Sequence, residues 1–296
     1  MDSIYLISFK IFRFIVKHTP DFLLKAILDL LSWITWAIDK KHRKIIKTNL
    51  DFAYGDTISE EEKKAIEKKC YKNLLYFLAD FVKNQGITKE KLSQKVTFKN
   101  KEILENAIKQ NKKIIVITAH YGNWELISLS VAAFFGPVSV VGRKLEGERI
   151  DQVLKQNREQ FDIEVIDKMG GMRGMIKALK QNRLLGVLVD QNTADNEGVL
   201  VNFFGKKARQ THSTALIARK LDALIIPAFI TTNDYKNYEI TFYDEIEPIK
   251  SNNAKEDIQK MTQLQADAIE KAIRKKPDEW FWFHKRWKNQ YEEIYR

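Results

Sequence analysis

His120 and Glu125 are the residues in this chain whose types and spacing first suggest chemistry. An imidazole titrates near neutral pH, so a histidine can take a proton from an alcohol under cellular conditions. A carboxylate that folds back onto the ring would orient it and stabilise the imidazolium as it forms. The pair therefore predicts general-base catalysis by His120, with Glu125 as the group that orients the ring.

The elements around His120 are those that would place it at a ligand site. Residues 114–118 are a short apolar run rich in β-branched side chains, which is typical of a strand buried on both faces. Helical spacing resumes at Trp124, with Gly122 or Asn123 placed to cap that helix. A histidine between such a strand and a helix N-terminus lies where open α/β sheets bind ligands.

The string at residues 119–125, AHYGNWE, resembles the His-x-x-x-x-Asp or His-x-x-x-x-Glu signature of the glycerolipid-type acyltransferases. In its fuller form it is similar to the lipid A late acyltransferases, and the resemblance extends over about residues 43–288. Those enzymes move a fatty acyl chain from acyl carrier protein onto a hydroxyacyl group of the Kdo-bearing lipid A precursor. The resemblance implies that His120 and Glu125 are catalytic, and we expect Asn123 to contact substrate.

Polar residues also follow two later predicted strands. Arg143 follows the predicted strand 138–141, where it could hold a phosphate or a polarised carbonyl, and the family has an arginine at the equivalent strand end. Asp190 and Gln191 end the predicted strand 184–189 and look like the family's Asp-Gln block. Asp190 could pair with a cation such as Arg143 or hydrogen-bond a sugar hydroxyl. The alternatives are a surface arginine and an aspartate that only begins a turn.

The C-terminal segment 277–288, PDEWFWFHKRWK, is similar to the Pro, aromatic, Trp, His, Arg string with which the late acyltransferases end. It offers an aromatic wall that could face an acyl chain, beside cations that could bind phosphate. We therefore expect His284 and Arg286 to bind substrate. The alternative is a terminal segment packed into the core with a solvated basic edge.

Two apolar helices are predicted at residues 4–16 and 22–38. Neither reaches the ~20 uninterrupted apolar residues that cross a ~30 Å hydrocarbon core. Their narrow polar stripes predict helices that lie in the membrane interface, and the basic residues 40–44 would favour an anionic cytoplasmic leaflet. The alternative is a soluble hairpin that packs on the rest of the protein.

From residue 114 onward, predicted strands and helices alternate, which indicates a mostly parallel sheet covered by helices on both faces. The predicted fold class is therefore α/β, with a mostly parallel central sheet flanked by helices and an N-terminal hydrophobic helical region that binds membrane. We expect a membrane-associated segment at 1–42 and an acyltransferase domain at 43–296.

Composition narrows the classes of partner and chemistry. The formal net charge of +11 suits an acidic protein, anionic lipids or nucleic acid, but no nucleic-acid-binding motif is present, so we expect no nucleic acid. Cys70 is the sole cysteine, which excludes an intrachain disulfide. The sequence has no G-x-S-x-G elbow and no metal-ligand spacing, so we expect no acyl-enzyme, no metal and no cofactor.

The leading hypothesis is an acyltransferase on the cytoplasmic face of a bacterial inner membrane, with acyl carrier protein, the lipid A precursor and membrane lipids as partners. We expect the enzyme to be a monomer. One alternative is an acyltransferase of the same superfamily that acts on a lysophospholipid or a glycosylated lipid. The other, from a different class, is a non-catalytic membrane-associated binding protein.

Overall fold

The computed structural model describes residues 2–142, 148–167 and 170–296, and nine strands lie in these ranges. They are β1 (Val96–Lys99), β2 (Lys113–Thr118), β3 (Val138–Gly142), β4 (Ile163–Asp167), β5 (Leu184–Leu188), β6 (Gly198–Phe203), β7 (Lys206–Thr211), β8 (Ala223–Thr232) and β9 (Tyr238–Phe242). Seven of them form one sheet in the order β1-β9-β8-β2-β5-β3-β4, and β6 pairs with β7.

Helices flank the sheet and precede it in the chain. They are α1 (Asp2–His18), α2 (Asp21–Ile38), α3 (Lys40–Tyr54), α4 (Glu60–Lys83), α5 (Lys89–Lys95), α6 (Lys101–Lys109), α7 (Trp124–Phe134), α8 (Glu148–Arg158), α9 (Gly171–Lys180), α10 (Ser213–Leu221) and α11 (Ala254–Lys275). Short 3₁₀ turns follow at Pro277–Glu279 and Glu292–Tyr295.

The central sheet is mostly parallel, as the alternation of elements predicted. β2 pairs in parallel with β5 and β8, and β3 does so with β4 and β5. Only β8 and β9 pair antiparallel within this sheet, across a tight connection, and β1 then joins β9 in parallel. The predicted α/β class with a mostly parallel sheet and flanking helices is confirmed.

Strand β2 is buried on both faces of the sheet, which explains its unbroken apolar sequence. Ile115 and Ile117 belong to the core beneath α9, α10 and α11, whereas Ile114 and Val116 belong to the core beneath α6 and α7. Because successive side chains of a strand point to opposite faces, each core receives alternate residues of β2.

The register between β2 and β5 brings their carboxyl ends level. Thr118 pairs with Leu188, and the N–H of Val189 donates to the carbonyl of Thr118 at 3.1 Å. The residues that lie two positions beyond each strand, His120 and Asp190, therefore leave the sheet side by side.

The turn after β2 depends on a glycine. Gly122 has a φ of +58°, and a Cβ at this position would lie 2.2 Å from the carbonyl oxygen of Ile230. The same close approach lets the Gly122 N–H donate to the carbonyl of Glu279 at 2.9 Å. Only glycine combines this φ with this contact, so the turn holds His120 against β8 and the C-terminal segment.

Three elements were not predicted from the sequence: α3, α5 and the β6–β7 hairpin. Phe204 and Gly205 form the two-residue turn of that hairpin, with φ values of +55° and +72°. Positive φ at both turn residues matches the right-handed twist of the two strands. A phenylalanine is a rare choice there, and it hides the turn signal that an Asn-Gly pair would give.

The N-terminal helices α1 and α2 pack on α4 along one side only. Val16, Leu24 and Leu28 join Tyr76, Ala79 and Val82 in a separate small core. The opposite side leaves large apolar side chains exposed, among them Ile7, Ile11, Phe14, Phe22, Leu30 and Trp33. Across the described ranges of the chain, no helix has the length and apolarity needed to traverse a bilayer. The division of the chain at residue 42 stays a prediction.

Candidate active site

His120 and Asp190 form a hydrogen-bonded pair at the carboxyl edge of the sheet. The Nδ1 atom of His120 lies 2.9 Å from Oδ1 of Asp190. The other oxygen, Oδ2, accepts the backbone N–H of His120 at 3.0 Å and the indole N–H of Trp280 at 2.8 Å. Asp190 is only 3% exposed, so these three donors replace the water that an ionised carboxylate would otherwise require.

The surroundings of Asp190 keep it ionised and set the tautomer of His120. Burial opposes the charged carboxylate, but the charge of His120 and the three hydrogen bonds outweigh it and lower the pKa of Asp190 to about 2. An ionised carboxylate only accepts, so we assign the proton of the neutral ring to Nδ1. The Nε2 lone pair then faces the partly exposed side, where the amide nitrogen of Gln191 lies 3.3 Å away.

The prediction that Glu125 orients the His120 ring was wrong, because its carboxylate binds a different residue. Arg158 on α8 donates from Nε to Oε2 of Glu125 at 3.0 Å and from NH2 to Oε1 at 2.5 Å. Glu125 is 8% exposed at its side chain and Arg158 is 20% exposed. Burial lowers the pKa of Arg158, but hydrogen bonds and charge from Glu125 outweigh it and raise the pKa overall.

Arg158 is a candidate functional residue that the sequence analysis missed. It ends a strongly polar helix, and nothing in its sequence surroundings distinguishes it from the solvent-exposed lysines and arginines nearby. A paired but buried charge is costly to desolvate and contributes little stability on balance. The burial of Arg158 and Glu125 therefore favours a functional reason for the pair over a purely structural one.

An apolar cavity, open at one side, lies between α7 and the sheet, and the space of about 570 Å³ between its walls includes open solvent. Val116, Ile127, Val131 and Val140 are among its lining residues, and Glu125 and Arg158 lie on the same wall. Gly186 of β5 also lines the cavity. A glycine within a buried strand weakens packing, and such positions often give room to a ligand.

Asn123 anchors the start of α7 to α4. Its amide donates to Oδ2 of Asp80 at 2.5 Å, and the carboxylate also binds Lys95. One turn away, the rings of Phe77 and Trp124 stack with their centroids 4.3 Å apart. Asn123 is only 4% exposed, and its amide is engaged internally, so substrate contact by Asn123 stays a prediction that the geometry does not favour.

The C-terminal aromatic string runs beside the His120 turn, joins it by a bridge between Trp280 and Tyr121, and then turns at Trp282 and Phe283. Trp280 and Trp282 point into the core, whereas Phe281 and Phe283 alternate outward and are half-buried. The N–H of Phe281 donates to the carbonyl of His120 at 2.9 Å, and its ring centroid lies 6.2 Å from that of the imidazole. Half of the predicted aromatic wall thus borders the site, and the other half supports it from below.

The prediction that Arg286 binds substrate was wrong, because its side chain is fully buried. It donates to the carbonyl of Arg209 and, at 3.1 Å, to Oε1 of Gln210, and it lies 4.9 Å from the Phe203 ring centroid. Burial lowers the pKa of Arg286 to about 10. Arg286 therefore fixes β7 to the C-terminal segment.

His284 holds the loop that follows Asp190 and Gln191. Its Nε2 accepts the backbone N–H of Asn192 at 2.9 Å, and its carbonyl accepts from Asn49 at 2.8 Å. Burial, which outweighs the attraction of Asp190, lowers the pKa of His284 to about 4. Substrate binding by His284 stays a prediction. In this structure its neutral ring accepts a hydrogen bond from the loop at Asn192.

The remaining sequence candidates divide into those inside and outside the described ranges. Arg143 lies outside them. Gln191 is exposed beside Nε2 of His120, as a substrate-binding residue would be. Asp190 is 3% exposed and its two oxygens bind His120 and Trp280, so its predicted substrate contact stays a prediction that the geometry does not favour. Within the described ranges, no three His, Cys, Asp or Glu side chains are grouped to hold a metal ion, and the need for one stays untested.

Comparison with known families identifies the class of protein to which the chain belongs. The profile of the family described as bacterial lipid A biosynthesis acyltransferase matches residues 3–289. The chain belongs to this family, and its class is therefore that of the acyltransferases.

Individual relatives are distant. The lipid A biosynthesis lauroyltransferase of Escherichia coli is 23% identical over 86% of this chain and 82% of its own length. The palmitoleoyltransferase of the same organism is 22% identical over 84% and 79%. A phosphatidylinositol mannoside acyltransferase of Mycolicibacterium smegmatis is 23% identical over 62% of this chain, and the match spans 60% of that protein.

Exchange of the ring partner tests which carboxylate orients His120. In Asp190→Asn, an amide replaces the acceptor-only group, so we expect a mixture of ring tautomers and a loss of turnover of roughly 10³-fold. In Glu125→Gln, the tautomer is expected to stay Nδ1–H because that residue binds Arg158. Nitrogen-15 NMR of histidine-labelled protein above pH 8 reports the tautomer, and a tautomer change in Glu125→Gln alone would contradict the assignment.

Acid should destabilise the fold through His284. Its folded pKa, about 4, lies below the ~6.5 of an unfolded histidine, so the unfolded chain binds more protons below pH 6.5. The free energy of unfolding should therefore fall between pH 6.5 and 4, by up to a few kcal/mol. Urea unfolding at pH 7 and pH 5 measures this loss, which His284→Gln should reduce and the exposed His18→Gln should retain. Equal losses in the two variants would contradict the prediction.

Proposed function

We propose that this protein transfers a fatty acyl chain from the thioester of acyl carrier protein to a hydroxyl of the lipid A precursor. The observation that carries the proposal is the His120–Asp190 pair, whose ring lies 5.0 Å, centroid to centroid, from Trp124, a residue that lines the apolar cavity under α7. A base beside an apolar cavity suits a reaction between an alcohol and a fatty thioester.

In the proposed mechanism, Nε2 of His120 takes the proton of the acceptor hydroxyl while its oxygen attacks the thioester carbonyl carbon. The carbon–sulfur bond then breaks, and the leaving thiolate takes the proton from the imidazolium. Asp190, bound to Nδ1, keeps the ring in the reactive tautomer and stabilises its positive charge. The amide of Gln191 and the first N–H groups of α7 are candidate donors for the oxyanion.

We propose that the donor chain enters the apolar cavity between α7 and the sheet. Its walls are mainly valine, leucine and isoleucine, which suit a hydrocarbon. The Glu125–Arg158 pair lies on the cavity wall, where its charge would be directed at the polar end of the bound donor or acceptor. We propose that Arg158 contacts a substrate oxygen and that Glu125 holds its guanidinium in place.

Membrane association is supported by the free face of α1 and α2. Phe14, Phe22 and Trp33 are 64%, 79% and 59% exposed, and side chains of this size are rarely left in water on neighbouring helices. Lys40 and Lys41 follow at the start of α3. We propose that this face lies in the cytoplasmic surface of the inner membrane, while the net charge of +11 attracts the acidic carrier protein to a monomeric enzyme.

A second acceptor class deserves the same assay. The relative from Mycolicibacterium smegmatis is described as a phosphatidylinositol mannoside acyltransferase, so a glycosylated lipid is the alternative acceptor. The motifs around His120 are compatible with any alcohol as acceptor, so they do not distinguish the lipid A precursor from a glycosylated lipid.

The experiment measures acyl transfer by the purified full-length protein with one acyl-carrier-protein donor and either a Kdo-bearing lipid A precursor or a mannosylated phosphatidylinositol. We expect product with the lipid A precursor and a ~10²-fold or greater loss in His120→Ala. Lys109→Ala, an exposed change on α6, serves as the control. Undiminished transfer by His120→Ala would contradict the proposed mechanism. Product with the mannosylated lipid alone would show that this lipid, and not the lipid A precursor, is the acceptor.

A side chain at Gly186 should shorten the accepted acyl chain. Gly186→Val adds a branched side chain to the cavity, where its Cβ would meet Cγ1 of Val140 at 3.3 Å. We expect the preferred donor to lose roughly two carbons or more, because the added methyl groups take the volume of that many methylenes. Competition among donors of different length measures the preference. Leu185→Ile, on the opposite face of β5, should leave it unchanged, and an unaltered preference in Gly186→Val would place the chain elsewhere.

A further inference from the structure

A second cavity, separate from the one under α7, opens between α2, α4 and the β8–β9 connection. It encloses about 930 Å³, including solvent at its wide mouth. Phe22, Leu24 and Leu28 of α2 form an apolar side, and Tyr76 and Tyr235 close the opposite side with stacked rings 3.9 Å apart. The cavity lies on the same helix that exposes its apolar face to the outside.

Three carboxylates border this cavity, and two of them pair with lysines of the protein. Asp21 pairs with Lys83 at 2.7 Å, and Asp80 pairs with Lys95 beneath α7. Asp234 accepts the N–H groups of the next turn, including that of Lys236 at 2.8 Å. The hydrogen bonds of its turn lower the pKa of Asp234 to about 2, so this carboxylate keeps one negative charge at the cavity.

Two lysines at the cavity remain available for a ligand. Within the described ranges, the ammonium groups of Lys25 and Lys236 make no ion pair and no hydrogen bond, and both side chains are exposed. Lys25 lies one turn beyond Asp21 on α2, and Lys236 approaches from the β8–β9 connection close enough to lower the pKa of Asp21. Among the described groups at the cavity without an ion-pair partner, two lysines outnumber the one carboxylate of Asp234, so the balance of charge is positive.

We propose that this cavity binds one anionic phospholipid, with its phosphate between Lys25 and Lys236 and its acyl chains along Phe22 and the exposed face of α2. Charge complementarity selects the phosphate, and the apolar wall selects a lipid over a free anion. The site lies at the level where α2 would meet headgroups, so the inference rests on the proposed membrane docking and not on the acyl-transfer chemistry.

Native mass spectrometry of the detergent-solubilised full-length protein tests the proposal without donor or acceptor. With a palmitoyl-oleoyl phosphatidylglycerol probe we expect a single bound lipid, and at least a tenfold weaker adduct in the Lys25→Ala/Lys236→Ala variant. Lys10→Ala/Lys17→Ala removes the same charge from exposed positions on α1 and should retain the adduct. Phosphatidylcholine and free glycerol phosphate should bind at least tenfold more weakly.

A phosphatidylglycerol adduct of equal strength in both double variants would overturn the proposal, because general surface charge would then explain it. An equally strong adduct with phosphatidylcholine would also overturn it, because any lipid could then replace detergent at the cavity. Binding of glycerol phosphate as tight as that of the lipid would identify a small-anion site instead. A protein that binds the lipid but transfers no acyl chain would contradict the proposed function and support this lipid site. A protein that transfers the acyl chain but binds no phosphatidylglycerol would support the proposed function and contradict this lipid site.

Discussion

The contact between Asp190 and His120 is the interaction on which the rest of the site depends. A carboxylate that is 3% exposed is tolerated only because three donors surround it, and they come from the imidazole, the turn after β2 and the C-terminal indole of Trp280. The position of the ring is therefore set by the register of β2 with β5 and by the path of the last residues. Removal of any one donor would leave the carboxylate underpaired in a nearly dry environment.

Much of the architecture could be predicted from local pattern. The apolar run of β2, its two-sided burial and the position of His120 beyond it all follow from composition and period, and they are what the structure has. The partner of His120 could not be predicted in this way. Two further strands, β3 and β4, separate β2 from β5 in the sequence, and no local signal shows that β5 inserts beside β2.

The misassigned residues share one physical cause. Glu125 and Arg286 were given roles from their sequence neighbours, whereas the structure pairs Glu125 with Arg158 and buries Arg286 against β7. A charged side chain near an active-site motif has several partners within reach, and the choice depends on tertiary packing that spacing does not encode. The C-terminal string was clearer, because its tryptophans were expected to form an aromatic wall, and Trp280 and Trp282 are buried next to the site.

The extended segment that carries Trp280 and Phe281 also determines when the enzyme can first become active. A ribosome adds residues from the N-terminus onward at about 5–20 per second, so β2, α7 and β5 emerge long before this segment does. Until it docks, Asp190 lacks its indole donor and the His120 carbonyl lacks the Phe281 N–H. A nascent chain therefore presents the apolar face of α1 and α2 well before the donors of Asp190 are complete.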